Sequence, residues 1–287
     1  MVWLIFALLS AIFKSLHNFT TKKFLANVDK YILASGSFLI TSILLLLFSF
    51  YRGIPQIGNQ FYLAVLATTI LNIVIVSLSF QALKITDLSL ASPLASFTPL
   101  FLILTSFIIL KELPTKYGFI GIMLIVVGSY FLNYEKRKNL FYPLKQLFKN
   151  KGTFYLFIAA FIASISSSFD KLVVLNSDSS FGSFVVYFLL SMIFLFISII
   201  KNKDFKKIYK LNFNKFLIIG FFIFLGALTV NTAFSMQKAS YVISINRLSI
   251  LLEVLYGGIL LKESKIFYRL IGAVIMVAGV ITISLLG

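Results

Sequence analysis

Long apolar runs broken by short charged clusters set the layout of this chain. Crossing about 30 Å of hydrocarbon takes a helix of roughly 20 mostly apolar residues. With charged clusters as boundaries, ten runs qualify: 2–21, 31–51, 61–83, 88–110, 116–134, 153–173, 182–200, 214–237, 240–261 and 267–286. The first is the least regular, because Lys14 and His17 interrupt it. The turns LKITD and QKAS, between the third and fourth and the eighth and ninth runs, are so short that they predict tight antiparallel hairpins. No stretch alternates apolar and polar positions as a membrane barrel strand must. The N-terminal MVWLIFALLSAIF has no basic leader and no small-residue cleavage site, so it is expected to be a retained first span.

The runs repeat. ILKELPTKYGFIGIMLIVVG at 109–128 returns as LLKESKIFYRLIGAVIMVAG at 260–279, with Leu110, Lys111, Glu112, Ile120, Gly121, Val126 and Gly128 unchanged as Leu261, Lys262, Glu263, Ile271, Gly272, Val277 and Gly279. Asn27 and Asp29 after the first run correspond to Asn176 and Asp178 after the sixth, and Lys84 corresponds to Lys238. The basic stretch EKRKNLFYPLKQLFKNK at 135–151 divides the chain into five runs and five. The predicted organisation is therefore a repeat at 1–135, a linker at 136–151 and a repeat at 152–287. An odd number of spans per unit makes the second copy enter the membrane from the opposite side. The expected fold is an all-α membrane protein: ten transmembrane helices, as two inverted five-helix repeats around a central cavity, an arrangement many secondary carriers use.

Composition sharpens this picture. Of 287 residues, 60% are apolar and 12% charged, about half the 25% typical of soluble domains; the mean hydropathy is +1.00. Such a chain cannot cover itself with polar groups and needs the lipid bilayer as a partner. The net charge of +17 would suggest nucleic acid in a soluble protein, but here the basic residues lie between apolar runs. Membrane topology explains them, and no nucleic-acid partner is expected. Without cysteine there are no disulfides, thiolate nucleophiles or cysteine metal sites.

Two five-span halves, the Ala82-Leu83-Lys84 end of the third run, Pro99 thirteen residues before Glu112, and then Gly121 and Gly128 resemble the EamA-type branch of the drug/metabolite transporter superfamily. Lys238, Glu263, Gly272 and Gly279 carry the resemblance in the second half, where Ile250 replaces the proline. The resemblance implies a ten-helix carrier whose cavity is lined chiefly by the first, third and fourth helices of each half, with the fifth helices peripheral. Small multidrug relatives in this superfamily use a carboxylate in their first helix. This first run has none, which argues against their cation/proton exchange scheme.

An ionisable group near the bilayer centre costs about 2.5–3.5 kcal/mol and needs a reason. Lys14, His17, Arg247 and Glu253 fall inside runs. With them stand Asn18, Asn72, Ser92, Ser96, Asn231 and Asn246, so polar groups concentrate in runs 1, 3, 4, 8 and 9. Arg247, Asn246, Lys14, Asn18, Asn72, Asn231, Ser92 and Ser96 are the candidate substrate-binding set. Arg247 suits a carboxylate or phosphate held in a two-pronged grip, or else a structural ion pair or snorkelling to the near surface. Glu253 and His17 are the candidates for coupling protons, with cross-helix pairing and hydrogen-bonded packing as their structural alternatives. Glu253 lies six residues from Arg247, off the three-or-four spacing of same-helix partners. Pro93, Pro99 and Gly257-Gly258 interrupt the fourth and ninth runs. The paired glycines of the fifth and tenth fit close helix packing. Glu112 and Glu263 fit interfacial helix turns.

Nineteen Lys and Arg lie in odd-numbered loops and five in even-numbered ones. The positive-inside rule then places both termini outside the cell membrane, whereas the family resemblance implies the reverse. No phosphate-binding loop, metal constellation or catalytic triad is present, so neither enzyme activity nor a cofactor is expected. The predicted function is secondary transport of small metabolites, such as amino acids or other carboxylated solutes, by alternating access. Multidrug efflux and a non-transporting scaffold or receptor are the alternatives, and a homodimer is compatible with any of them.

Overall fold

A computed structural model describes residues 1–25, 27–85, 94, 96–132, 150–201, 205–253 and 266–287. The elements are α1 (Val2–Leu25), α2 (Lys30–Arg52), α3 (Phe61–Ile85), α4 (Thr98–Leu110), α5 (Lys116–Leu132), α6 (Lys151–Leu175), α7 (Phe181–Lys201), α8 (Phe205–Leu211), α9 (Phe213–Met236), α10 (Ala239–Asn246) and α11 (Ile266–Leu286). All regular structure among the described residues is helical. Among the described residues six helices are long and apolar enough to cross a membrane: α1, α2, α3, α6, α7 and α9. These are the first three runs of each half. Shorter apolar helices cover Thr98–Leu110, Lys116–Leu132 and Leu270–Leu286.

The repeated short motifs have local causes. Asp29 accepts the backbone N–H groups of Tyr31 and Ile32, at 2.9 and 3.3 Å, and so caps α2. Asp178 accepts those of Ser180 and Phe181, at 2.8 and 2.6 Å, and opens α7 by the same two-and-three-residue reach. Each bond satisfies a helix-initial donor that has no intrahelical partner. At the end of α4, Lys111 takes a left-handed conformation with φ 58°, and the Glu112 N–H reaches back 3.2 Å to the Ser106 carbonyl. The Lys-Glu pair thus stops a helix and turns the chain inward. Thr115 then starts α5, its hydroxyl accepting from the Gly118 N–H at 3.0 Å.

Contacts between the halves are reciprocal. The first helix of each half packs on the third of the other: α1 on α9 and α6 on α3. The two second helices, α2 and α7, face each other, as do the two fifth helices, α5 and α11. That last crossing is antiparallel and made by glycine. A Cβ on Gly121 would fall 2.8 Å from the Gly279 carbonyl oxygen, and one on Gly279 would fall 2.7 Å from that of Gly121. Gly128 and Gly272 repeat this one turn-pair along, at 2.7 Å in both directions. A real side chain at such a separation would force the backbones apart.

One polar loop is more ordered than its composition suggests. The Lys-rich stretch between the seventh and eighth runs contains α8, whose Phe205, Ile208 and Tyr209 pack on the α2–α9 core while Lys206, Lys207 and Lys210 point away from it. The rings of Tyr209 and Phe216 lie 4.7 Å apart. Periodicity over seven residues is too short to stand out beside neighbouring runs of twenty or more.

The fourth run of each half is interrupted at matching places. Ser96 and Phe97 form a turn before α4, and the helical path of the ninth run breaks at Arg247 before resuming at 248. Ser96 and Arg247 are 151 residues apart, the spacing of Glu112 and Glu263. Pro99 sits in the first turn of α4, where its missing N–H costs nothing. The ninth run is interrupted without a proline, since Ile250 stands where the first half has Pro99. Pro93, Gly257, Gly258, Glu263 and the linker from 136 to 149 lie outside the described residues.

Candidate functional site

A cavity of about 340 Å³ lies between the halves. Ser10, Lys14 and His17 of α1 stand on its wall, with Asn72 of α3, Ser167 and Asp170 of α6, Asn231 of α9 and Asn246 of α10. The second helices add Phe38 and Tyr187, a contribution beyond the first, third and fourth helices that the family resemblance implies. No described residue of α5 or α11 lies on the wall.

Amides hold most of the polar groups. Lys14 Nζ donates to Asn246 Oδ1 at 2.8 Å, and Asn246 Nδ2 donates to Ser10 Oγ at 2.8 Å. Asn246 therefore ties α1 to the last residue of α10, just where that helix stops. Asn231 Nδ2 donates to Ser183 Oγ at 2.6 Å. Asn72 Nδ2 reaches Ser166 Oγ at 3.0 Å and the Thr68 carbonyl at 2.9 Å. Thr68 Oγ1 in turn donates to Asp170 Oδ1 at 2.5 Å.

The predicted set divides. Lys14, His17, Asn72, Asn231 and Asn246 share the cavity. Asn18 and Glu253 meet each other behind it, Asn18 Nδ2 donating to Glu253 Oε1 at 2.7 Å. Glu253 attracts Lys14, Lys22 and Arg247 electrostatically. Arg247 itself is not among the wall residues, and among the described residues its buried Nε has no hydrogen-bond partner. Ser96 is fully buried at its turn and also off the wall. Ser92 lies outside the described residues.

Two charged residues escaped the sequence reading. The sixth run was expected to end at 173, which left Asp170 and Lys171 in its final turn. Helix α6 continues to Leu175 and places Asp170 on the cavity. Lys171, counted above with the loops, is 5% exposed and ion-paired with Glu112 at 2.5 Å. It also donates to the Gln237 carbonyl at 2.6 Å, and Glu112 Oε2 accepts from the Ala239 N–H at 3.0 Å. Tyr241, 1% exposed, accepts at its hydroxyl from the Thr115 N–H at 2.8 Å. This network joins α4, α6 and the α9–α10 turn, hence both halves. A signal was available in SSSFDKLVVL: an Asp-Lys pair flanked by apolar residues one turn from a run's end.

The profile of the EamA-like transporter family matches residues 1–134 and 150–285, nearly the whole chain in two copies. The chain belongs to the EamA-like transporter family. One solved structure, titled only "Crystal structure of protein", superposes on it with a TM-score of 0.75 at 14% identity, covering 100% of this chain and 98% of that one. At that identity the likeness is one of fold. No curated protein matches the chain. As an EamA-like protein it is a multi-pass membrane protein of a transporter family, with a lipid environment and a small-molecule solute as its expected company.

Proposed function

We propose that this EamA-like protein is a secondary carrier of small carboxylated solutes that works by alternating access, with ten spans arranged as two inverted five-helix repeats. The observation that carries this reading is Lys14. Its ammonium lies on a cavity shared by both halves and bonds an amide rather than a carboxylate, so among the described residues two of its three donors remain for a solute anion. The reciprocal helix contacts and the antiparallel glycine crossing support the inverted arrangement. The Glu112–Lys171 network, one residue from cavity-lining Asp170, supports a closure of one end that has to open in the transport cycle.

His17 and Glu253 remain the candidates for proton coupling, Asn18, Ser96 and Arg247 are supporting candidates around the site, and Ser92 remains a candidate on its sequence position alone. The positive-inside bias places the termini on the extracytoplasmic side, which reporters active on one side only, fused to the C-terminus, would test. Phe38, Phe222 and Phe234 on the wall favour apolar drug efflux as the second reading. Counterflow into proteoliposomes with labelled amino acids, keto acids and lipophilic cations separates the two. Flux of a carboxylate that is lost with Lys14→Met supports the carrier proposed here. Flux of lipophilic cations alone supports efflux, and no flux of any solute favours a non-transporting scaffold.

A further inference from the structure

The connection between the second and third helices differs sharply between the halves. In the first half it is GIPQIGNQ at 53–60, without an ionisable side chain. In the second it contains α8, which alone holds Lys206, Lys207 and Lys210. Lys201 ends α7 and Lys215 lies in the first turn of α9. The repeat does not account for these charges.

The fold gathers them on one surface. Phe205, Ile208 and Tyr209 share a helix face and join the apolar cluster of Ile32 and Phe216, so α8 is held against α2 and α9. Its three lysines are exposed, and Lys23 in the last turn of α1 is exposed at the same end. Aromatic rings hold two more ammonium groups: Lys201 Nζ lies 4.2 Å from the centre of the Tyr31 ring, and Lys215 Nζ 5.8 Å from that of Phe24. Contact with a ring face leaves an ammonium its donors for an anion. Leu211 and Phe213, 73% and 47% exposed, follow α8 at the foot of the spanning helix α9.

Little at this end offsets the charge. Helices α1, α2, α7, α8 and α9 contain no Asp or Glu. Asp29, between α1 and α2, is engaged in capping α2, and Asp204 lies outside the described residues. Glu253 attracts Lys22, which is therefore left out of the surface. Like charges gathered this way repel one another unless anions meet them. The helices here enter the membrane, so the anions within reach are headgroup phosphates of the surrounding leaflet, with acyl chains just beneath for exposed apolar side chains.

We propose that α8, with the adjoining ends of α1, α7 and α9, is a docking surface for the phosphates of anionic phospholipids. Lys206, Lys207, Lys210 and Lys215 meet the headgroups, and Leu211 and Phe213 enter the acyl layer below. The inference is independent of the solute carried. Because α8 packs on both α2 and α9, lipid bound there steadies the second helix of one half against the third helix of the other.

The single tryptophan supplies a control for the test. Trp3 lies in the first turn of α1, at the opposite end of that helix from Lys23. The full chain is placed in vesicles of phosphatidylcholine and phosphatidylglycerol in equal parts, with one lipid or the other brominated on its acyl chains, so that a bound lipid quenches a neighbouring indole. Wild type is compared with a Trp3→Phe, Phe213→Trp variant; Leu211→Trp in the same background is a second reporter should the first not fold. At the introduced indole phosphatidylglycerol should bind about five-fold more tightly than phosphatidylcholine, and at Trp3 neither lipid should be preferred. Adding Lys206→Gln, Lys207→Gln and Lys210→Gln together should abolish the preference, and high salt should weaken it. Equal quenching by the two lipids at the introduced indole overturns the inference, as does an equal preference at Trp3 or a preference that survives the three glutamines. No lipid preference, with an emission shift on adding polyglutamate, overturns it in favour of an acidic protein partner.

Discussion

Two buried charge clusters flank the cavity, and they are built differently. Around Glu112 and Lys171 the charges touch each other, and their remaining capacity goes to backbone groups: the Gln237 carbonyl and the Ala239 N–H. Around Lys14 and Glu253 each charge meets a neutral amide instead, Asn246 in one case and Asn18 in the other. Glu253 attracts Lys14 and Arg247, but among the described residues no direct ion pair forms between them. The first cluster is self-sufficient, as a fastening must be. The second keeps donors and charge in reserve, as a site must that waits for something to arrive. Burial and residue type are alike in the two, so it is partner choice that distinguishes them.

Removing one member of each cluster is the direct way to break that comparison. Lys171→Ala should have the largest effect, because it strands Glu112, 19% exposed, among protein groups; the loss should be about 3–5 kcal/mol. Combining Lys171→Met with Glu112→Gln should recover much of it, which denaturant titration of the single and double variants measures. A single-variant loss no larger than that of a surface ion pair would mean the fastening is loose.

Asn18→Ala should cost less, about 1.5–3 kcal/mol, the range for a hydrogen bond to a charged group. The same titration reads it, and a loss equal to that of Lys171→Ala would erase the distinction between the clusters. Lys14→Met should cost least, within about 1 kcal/mol of zero or in the stabilising direction. It exchanges a buried ammonium held by one amide for an apolar side chain of similar volume. Carboxylate binding, measured on the same preparation, should nevertheless be lost, and that split between stability and binding sharpens the contrast most.

Much of this architecture was legible before any coordinates. The runs and the duplicated corner rest on signals of local origin, span length and glycine spacing; Asp29 and Asp178 stood out only as matching positions of the repeat, and their capping role came with the structure. The cavity residues on α1, α3 and α9 were legible as well, since a polar group inside an apolar run has few reasons to be there. Asp170 and Lys171 were missed because that inference weakens toward a run's end, where two residues of boundary error turn a buried pair into an apparent loop. The position of Arg247 was missed for another reason. Asn246 beside it lines the cavity and Arg247 does not, and which face of a run meets the cavity is set by packing against the other helices, to which the run itself gives no guide. Which charges pair with each other also lay beyond sequence, because Glu112–Lys171 and Asn18–Glu253 join residues 59 and 235 positions apart.

The crossing of α5 and α11 sets a rule for how such a chain can change. Each of Gly121, Gly128, Gly272 and Gly279 leaves room for the carbonyl of its opposite number, so a methyl group gained by one copy intrudes on the backbone of the other. The two copies are free to drift apart in charge, as the lysines of α8 illustrate, but along this seam they remain mutually bound to the smallest residue. Whatever solute the interior comes to favour, the seam has to stay bare.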